Sequence, residues 1–424
     1  MLKGFRHSRI LINGIKLLSA TSVSQFVAVL AFPLITRLYE PDSIGQLSFF
    51  LVLVGIGSIL ASAQYENAIM IEPDNRNASA LVDLSFLLAL AACLLFFAIA
   101  CLALHFLDAS FQFLLLVAPL TLLSSLGWIL SFWWNRNNRF GRSASYLVIQ
   151  SLASTGMKLI LGFLHFCRWG LFVASFVGQA VALFSLLRNK PKPETRLFQF
   201  SSYRMRYVAK KHFAFPKYTL PHRLLNIVVN NLPILVLPLV FNMAEVGFFA
   251  LALSVSLKPI WALARSANQV LFQRIGEKRR NDVRCYRQVC RFSLNMIRIA
   301  IPLLLIVFIV LPHATPLLFG NGWEQTGRLL QIMLPWILTS SLVQTLNFIP
   351  LVYSEQRKAF FFEIASALIQ CCALAVGLYI GNLTITITLL ACAVSLFSVS
   401  QLWWFFWLLR RNQDCDNRRI FRHA

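Results

Sequence analysis

Apolar runs of about 20 residues recur from one end of this chain to the other, which is the feature that most restricts its fold. A helix of about 20 apolar residues spans the hydrocarbon core of a bilayer. A membrane β-barrel would instead need segments of about ten residues with alternating polarity, and the sequence shows none. We therefore predict an all-α polytopic membrane protein.

The amino-acid composition agrees with a membrane protein, since 58% of the residues are hydrophobic and only 13% are charged. A formal net charge of +23 would suggest a nucleic-acid partner in a soluble protein. Here the cations lie mainly in short loops and tails, where they orient the chain and can contact anionic lipid headgroups. We expect membrane lipids as partners and no nucleic acid. The nine cysteines form no C-x-x-C pair, so we predict neither a disulfide framework nor a metal site.

The apolar runs divide into twelve predicted spans, six on each side of a basic central segment. A cleaved signal peptide is the alternative for the first run, but Asn13 and Lys16 interrupt its apolar core, which favours a retained helix. The predicted spans are Leu11–Thr36, Ile44–Ile71, Ser79–Phe106, Phe111–Trp134, Ser143–Phe166, Trp169–Leu187, Pro221–Phe241, Glu245–Phe272, Phe292–Leu311, Gln325–Val352, Ala359–Ile380 and Leu383–Leu409.

The distribution of Lys and Arg predicts the orientation of these spans. The central segment, 188–220, carries nine cations and a single acid, Glu194. With the N-terminus in the cytoplasm, 30 of the cations fall in cytoplasmic segments and only Arg37 and Arg168 fall outside. Because cytoplasmic loops are enriched in Lys and Arg, we predict an inner-membrane protein with both termini in the cytoplasm.

The same pattern predicts three regions: an N-terminal lobe (1–187), a basic cytoplasmic linker (188–220) and a C-terminal lobe (221–424) with a basic tail. A weak repeat relates the lobes. In each, a proline-bearing helix and a short acidic turn precede a glycine, Gly45 or Gly247, that opens an aromatic-rich helix. Two related six-helix lobes around a central cleft are typical of transporters.

Seven cations are predicted at membrane depth, where each costs roughly 2.5–3.5 kcal/mol on insertion scales. Three of the helices that carry them have a polar stripe at helical spacing. The stripes are Asn13, Lys16, Ala20 and Ser24; Arg223, Asn226 and Asn230; and Ser254, Lys258, Trp261 and Arg265. Such stripes on leading helices of both lobes predict a water-accessible, cationic cleft that attracts an anion.

The candidate anion-binding residues are Lys16, Arg223, Lys258, Arg265 and Arg298. The first, second and last of these lie near predicted cytoplasmic helix ends, so snorkelling to the membrane surface is an alternative role for them. Three acids are also predicted within spans: Glu66, Asp83 and Glu363. Each is a candidate for proton coupling or for pairing with a neighbouring cation.

Nothing in the sequence favours an enzyme. The chain has no G-x-x-x-x-G-K-[ST] phosphate loop, its seven histidines are scattered, and its predicted outside connections are short. We therefore predict neither a catalytic site nor a cofactor.

Several short motifs are similar to those of Wzx-type flippases of O-antigen and other polysaccharide repeat units. The resemblance covers most of the chain and is strongest over Ile10–Ile71 and Phe215–Gly276. Its motifs are Leu34-Ile-Thr-Arg-Leu-Tyr, Ile44-Gly45, Tyr65-Glu66-x-Ala68-Ile69, Phe215-Pro216-Lys217-Tyr218 and Val246-Gly247-Phe-Phe-Ala-Leu-Ala. These flippases belong to the superfamily of multidrug, oligosaccharidyl-lipid and polysaccharide exporters.

The resemblance implies transport of an undecaprenyl-pyrophosphate-linked glycan repeat from the cytoplasmic to the periplasmic leaflet by alternating access. The cationic residues would then bind the pyrophosphate, and a polysaccharide polymerase with its chain-length machinery would be a possible partner. One alternative is an extruder of small organic ions on the same fold, for which an acidic cleft would be expected. Another is a membrane scaffold without cargo, which would leave the stripe of Lys258 and Arg265 unexplained.

Overall fold

A computed structural model describes residues 27, 29–106, 109–188, 200–257, 259–261, 263–265, 267, 268, 271, 286–353 and 355–420. The chain divides into two compact units, Met1–Leu235 and Val236–Ala424. The division falls inside the seventh predicted span, so that the helix following the central segment belongs to the first unit. The lobe and linker boundaries drawn from the sequence stay a prediction.

The first unit consists of apolar helices joined by short turns, followed by a short polar helix from the central segment. Its helices are α1 Val29–Leu38, α2 Pro41–Ala61, α3 Tyr65–Ile71, α4 Asn75–Phe106, a 3-10 helix Ala109–Leu116, α5 Val117–Arg136, α6 Phe140–Phe163, α7 Cys167–Leu187, α8 Ser202–Lys211, a π-helical turn Phe215–Thr219, α9 Leu220–Asn230 and α10 Leu232–Val236.

The second unit begins with a short turn and a helix that is capped at its N-terminus. There the Asn242 side chain accepts a hydrogen bond from the Glu245 backbone N–H, and the Glu245 carboxylate accepts one from the Asn242 backbone N–H. In chain order, the helices of the unit are a 3-10 turn Leu237–Leu239, α11 Met243–Val255, α12 Tyr286–Phe319, a 3-10 turn Asn321–Trp323, α13 Glu324–Leu346, α14 Ile349–Val352, α15 Gln356–Ile380 and α16 Leu383–Ile420.

The all-α membrane architecture predicted from the sequence is confirmed. Among the described residues, ten helices are long and apolar enough to cross a membrane, and a bent pair raises the number to eleven. Most of the first predicted span lies outside the described residues, so the predicted total of twelve stays a prediction.

The seventh predicted span, Pro221–Phe241, is bent in the structure and is not one straight helix. The structure begins a helical segment at Phe215, breaks it after Asn230 and resumes at Leu232 with a bend of 73°. Pro233 lies in the first turn after the break. It has no backbone N–H to donate and its ring would clash with the preceding turn, so the helix ends before it.

The second predicted span, Ile44–Ile71, is also interrupted. Its helix ends at Ala61 and a new one, α3, begins at Tyr65. Between them Ala63 and Gln64 have φ of 47° and 63°, in the left-handed region. A residue other than glycine costs of order 1–3 kcal/mol in this backbone conformation, so contacts with the surrounding structure must offset that cost.

The predicted outside connection near Pro312–Glu324 is largely helical, which the sequence prediction missed. Helix α12 continues through Pro312 and Pro316 to Phe319. Proline is tolerated inside membrane helices because neighbouring groups satisfy the freed carbonyls. Only a short 3-10 turn is left between α12 and α13.

Small residues allow close packing within each unit. A Cβ added at Gly178 on α7 would meet the Cα of Ser154 on α6 at 2.8 Å. In the second unit, a Cβ added at Gly377 on α15 would lie 2.6 Å from the Cα of Thr386 on α16. Each glycine therefore permits two adjacent helices to pack with their backbones in contact.

Long-range contacts identify the two ends of the first unit's bundle. At one end, the Tyr39 hydroxyl donates to the Lys158 carbonyl, 2.8 Å away, joining the α1–α2 turn to α6. At the other end, Arg136 joins the end of α5 to the α3–α4 turn. The second end holds segments that the charge distribution assigns to the cytoplasm, and which side of the membrane it faces stays a prediction.

Candidate functional site

The break between α2 and α3 places Glu66 in the first turn of a new helix inside the bundle. Only 4% of its surface is exposed. The Gln64 side chain donates to its Oε1 at 3.2 Å, and Asn67 donates in turn to Gln64 Oε1 at 3.0 Å. The buried Oε2 has no hydrogen-bond partner among the described residues. A carboxyl group in this setting is suited to exchanging a proton or to pairing with a cation.

Arg223 exerts an electrostatic effect on Glu66 that is smaller than the effects of burial and of hydrogen bonding. It lies on α9, near enough for its positive charge to interact electrostatically with the Glu66 carboxyl group. Helix α9 packs on α2, since a Cβ added at Gly55 would meet the Ile227 side chain at 3.0 Å. The fold therefore brings together two of the residues that the sequence analysis selected, one as a cleft cation and the other as a coupling acid.

The polar stripe predicted on the seventh span lies on an exposed face of α9. Arg223, Asn226 and Asn230 are all exposed. The Asn230 side chain donates to the Asn226 carbonyl at 2.7 Å and to its Oδ1 at 3.1 Å. These amides order the stripe along the helix and leave the guanidinium group at its beginning accessible.

In the second unit, the residues of the stripe on the eighth predicted span differ in exposure and in their contacts. Arg265 is exposed. Trp261, one turn earlier, donates its indole N–H to Ser340 Oγ on α13 at 3.2 Å. Asn268 donates to two α13 carbonyls, at 3.0 and 3.1 Å. The segment is thus attached to α13 on both sides of Arg265, which fixes the position of that cation.

The other predicted cations differ in what the structure describes. Arg298, on α12, is exposed. Lys16 lies outside the described residues, as does Lys258. The assignment of all five cations to one anion site stays a prediction.

The two remaining candidate acids have contrasting positions. Asp83 on α4 is 2% exposed, and its Oδ2 accepts a hydrogen bond from the Phe200 backbone N–H at 3.1 Å. It therefore holds the segment that leads into α8. Glu363, on α15, is exposed.

The sequence analysis missed Glu72, which is 1% exposed at the end of α3. Lys211 Nζ lies 2.8 Å from its Oε2, and His212 Nε2 lies 2.6 Å from the same oxygen. Asn77 donates to Oε1 at 3.5 Å. We call these four residues the Glu72 cluster. It fixes the end of α8 to the first unit.

Burial alone would raise the pKa of Glu72, but the hydrogen bonds from Lys211, His212 and Asn77 outweigh it and lower the pKa to about 2. The hydrogen bond to Glu72 also raises the pKa of Lys211. The carboxylate and the ammonium group are therefore both charged at neutral pH. The sequence held no signal for this pairing, because Glu72 and Lys211 lie 139 residues apart.

Arg136 stabilises the turn that carries Glu72. Its guanidinium group donates to the backbone carbonyls of Ile69, Glu72 and Pro73 and to the Asn75 side chain. Carbonyls at the end of a helix need such donors, because they have no partner within the helix. The cation predicted only as a marker of orientation is thus a structural part of the same end of the bundle.

Metal binding finds no support in the part of the chain that is described. It contains no group of three or more His, Cys, Asp or Glu side chains arranged to hold a metal ion.

The fold places this chain in a class of all-α, polytopic membrane proteins whose architecture is shared by solved multidrug and lipid flippase structures. A lipid II flippase, MurJ, in an inward closed conformation superposes with a TM-score of 0.71 and 13% identity, over 94% of this chain and 90% of that one. An inward-facing multidrug resistance MATE family transporter of the MOP superfamily superposes with a TM-score of 0.62 and 12% identity, over 95% and 98%.

The sequence profile of the polysaccharide biosynthesis proteins matches residues 34–327. The chain therefore belongs to the polysaccharide biosynthesis protein family. A search of the curated proteins found no significant match.

Proposed function

We propose that this protein is a flippase that moves an undecaprenyl-pyrophosphate-linked polysaccharide repeat unit, of the O-antigen type, from the cytoplasmic to the periplasmic leaflet. Membership of the polysaccharide biosynthesis family carries the proposal, because a membrane transporter in that context needs a glycan cargo attached to lipid. The fold shared with a lipid II flippase supports a lipid-linked cargo. Transport would proceed by alternating access, and the protein would not be an enzyme.

The cations would supply the binding energy for the anionic part of the cargo. Arg223, Arg265 and Arg298 are exposed on their helices. A guanidinium group binds a phosphate through two parallel hydrogen bonds, which a lysine cannot reproduce. We include Lys16 and Lys258 in the same pyrophosphate site on the basis of the sequence stripes. The polysaccharide polymerase and its chain-length machinery would then receive the exported unit.

The test uses Arg265, which the bonds of Trp261 and Asn268 hold in place. Surface glycan is measured in cells that carry equal amounts of each variant in the membrane. Arg265→Ala should lose export, Arg265→Lys should keep part of it, and Arg265→Glu should abolish it. Arg328→Ala, an exposed cation of the same unit on α13, is the control and should export normally.

Two outcomes would contradict the proposal. Normal export by Arg265→Glu would remove that residue from an anion site. Efflux of organic cations gained by the same variant would favour the multidrug-extruder alternative. A chemical identification of the lipid-linked saccharide that accumulates without the protein would name the cargo directly.

The proposed location is the bacterial inner membrane with both termini in the cytoplasm. Asn137 and Asn321 are both exposed in turns, after α5 and α12 respectively. Single cysteines at these positions of a cysteine-free variant should react with an impermeant reagent from opposite sides. Reaction of both from the periplasm would contradict the orientation.

A further inference from the structure

Helix α8, Ser202–Lys211, has two faces of different character. Val208 is fully buried and His212, one turn later, is nearly so. Tyr203, Arg206, Tyr207 and Lys210 are all exposed, and with about 100° of rotation per residue they fall within about 100° of arc opposite Val208 and His212. We call these four residues the α8 outer face.

The buried side of α8 attaches it firmly to the first unit at both ends. Asp83 accepts from the Phe200 backbone N–H before the helix, and the Glu72 cluster binds Lys211 and His212 at its end. Between these points, the Tyr65 hydroxyl donates to the Ala209 carbonyl at 3.2 Å. The outer face is therefore displayed in a fixed direction.

The contacts of α8 also fix its depth along the bundle. The Phe200 ring packs 6.1 Å from that of Phe86, which lies eleven residues into α4. Eleven residues correspond to about 16 Å along a helix axis. The other end of α8 reaches Glu72, just before α4 begins. Helix α8 thus lies beside the first three turns of α4, at one end of a candidate membrane span.

The chemistry of the outer face matches that position. Tyr203 is 83% exposed and Tyr207 is 51% exposed. A helix that faced only water would leave two aromatic rings unburied, which is unfavourable. Tyrosine is enriched at membrane interfaces because its ring is apolar and its hydroxyl is polar. Helix α8 contains no acid, and Arg206 and Lys210 have no acidic partner among the described residues.

We propose that the α8 outer face binds the anionic headgroups of the surrounding bilayer and so anchors the first unit to the leaflet on that side. The two cations contact phosphate groups, and the two tyrosine rings lie between headgroups. Basic residues beside a membrane span are attracted to anionic lipid in this way. The inference does not depend on the cargo of the transporter.

The test measures contact with lipid in the full-length protein. A cysteine-free variant receives a fluorescent label at Tyr203→Cys and is placed in nanodiscs of phosphatidylcholine alone or with phosphatidylglycerol. Quenching by acrylamide, a neutral reagent, should fall at least about twofold when about one third of the lipid is anionic, and added salt should reverse this by screening. A label at Asn321→Cys, in an exposed turn beside Glu324, is the control. Its quenching by acrylamide should be nearly the same in the two lipid compositions.

Charge variants decide whether the outer face itself is responsible. Arg206→Glu with Lys210→Glu should abolish the effect of anionic lipid, and the milder pair Arg206→Gln with Lys210→Gln should reduce it. Neither pair touches the Glu72 cluster, so thermal unfolding should match that of the parent. Equal quenching in both lipids, or an unchanged effect in the Glu variant, would overturn the proposal and point instead to a solvated face or to an acidic protein partner.

Discussion

The first unit buries three carboxylates, Glu66, Glu72 and Asp83, whereas the buried polar side chains described in the second unit are all serine or threonine. Asp83 and Glu72 of the first unit bind groups distant in sequence, whereas the carboxylates described in the second unit lie on or near its surface. Replacing a buried carboxylate of the first unit should therefore lower thermal stability far more than replacing a surface carboxylate of the second unit. The two units share apolar and small-residue packing, and the first adds buried ionic contacts that the described part of the second does not show.

The largest effect expected from this comparison is on stability at Glu72. In Glu72→Gln the amide keeps the shape but loses the charge that binds Lys211 and His212. Hydrogen bonds to a charged group contribute about 1.5–3 kcal/mol each, so a loss of at least that size is expected. Thermal unfolding of the purified protein in nanodiscs, followed by intrinsic fluorescence, should show a clearly lower midpoint.

The matched control is Glu355, which pairs with Lys358 at 3.0 Å in the second unit. Its lysine is half exposed, and such surface pairs contribute only about 0–1 kcal/mol. Glu355→Gln should therefore unfold close to the parent midpoint. Equal shifts for the two variants would remove the distinction between the units.

The next expected effect is a pH dependence of the first unit. Glu72 has a pKa lowered to about 2 in the folded protein, against an ordinary value of 4.5. A depressed pKa contributes stability that is present above the ordinary value and lost as the pH falls through the folded value. The difference in unfolding midpoint between the parent and Glu72→Gln should thus be constant above about pH 5 and shrink between pH 4.5 and 2. A difference that stays constant down to pH 3 would show that another group dominates.

A smaller effect is expected on transport from Glu66. Glu66→Gln keeps the hydrogen-bonding shape but cannot release a proton, so export of surface glycan should be partly lost at equal protein in the membrane. Glu355→Gln, at a surface acid of the second unit that was not selected as a coupling candidate, is the control and should export normally. Normal export by Glu66→Gln would remove Glu66 from the transport cycle.

Much of this architecture could be predicted from the sequence, because long apolar runs leave a membrane chain few alternatives to helices. The points at which the helices break could not be predicted in full. Ala63 and Gln64 adopt left-handed backbone in a polar stretch, Ser62–Asn67, that contains neither glycine nor proline, so no turn-forming residue marks the end of α2. The 73° bend before Leu232 was signalled by Pro233, but its size depends on packing that a single sequence does not contain.

The same limit applied to the candidate site. Cations at membrane depth stand out in a sequence because they are costly there, and Arg223 and Arg265 were selected as candidates in this way. Glu72 was missed because it lies at the end of an apolar run, where an acid is common, and its partner Lys211 is 139 residues away. Long-range pairing of this kind is visible only after the chain has folded.

The last and smallest effect concerns the partnership of Glu66 with Arg223, which can be separated from proton coupling. If the acid only neutralises the cation, Glu66→Gln leaves Arg223 uncompensated, and the double variant Glu66→Gln, Arg223→Gln should unfold at a higher midpoint than Glu66→Gln alone. A coupling energy above about 0.5 kcal/mol in such a cycle would show that the two side chains interact. Additive effects on the midpoint would instead mean that Arg223 is free for another anion. In that case the first unit would contribute both a proton-exchanging acid and a cargo-binding cation, and its buried carboxylate would be retained for transport and not for stability.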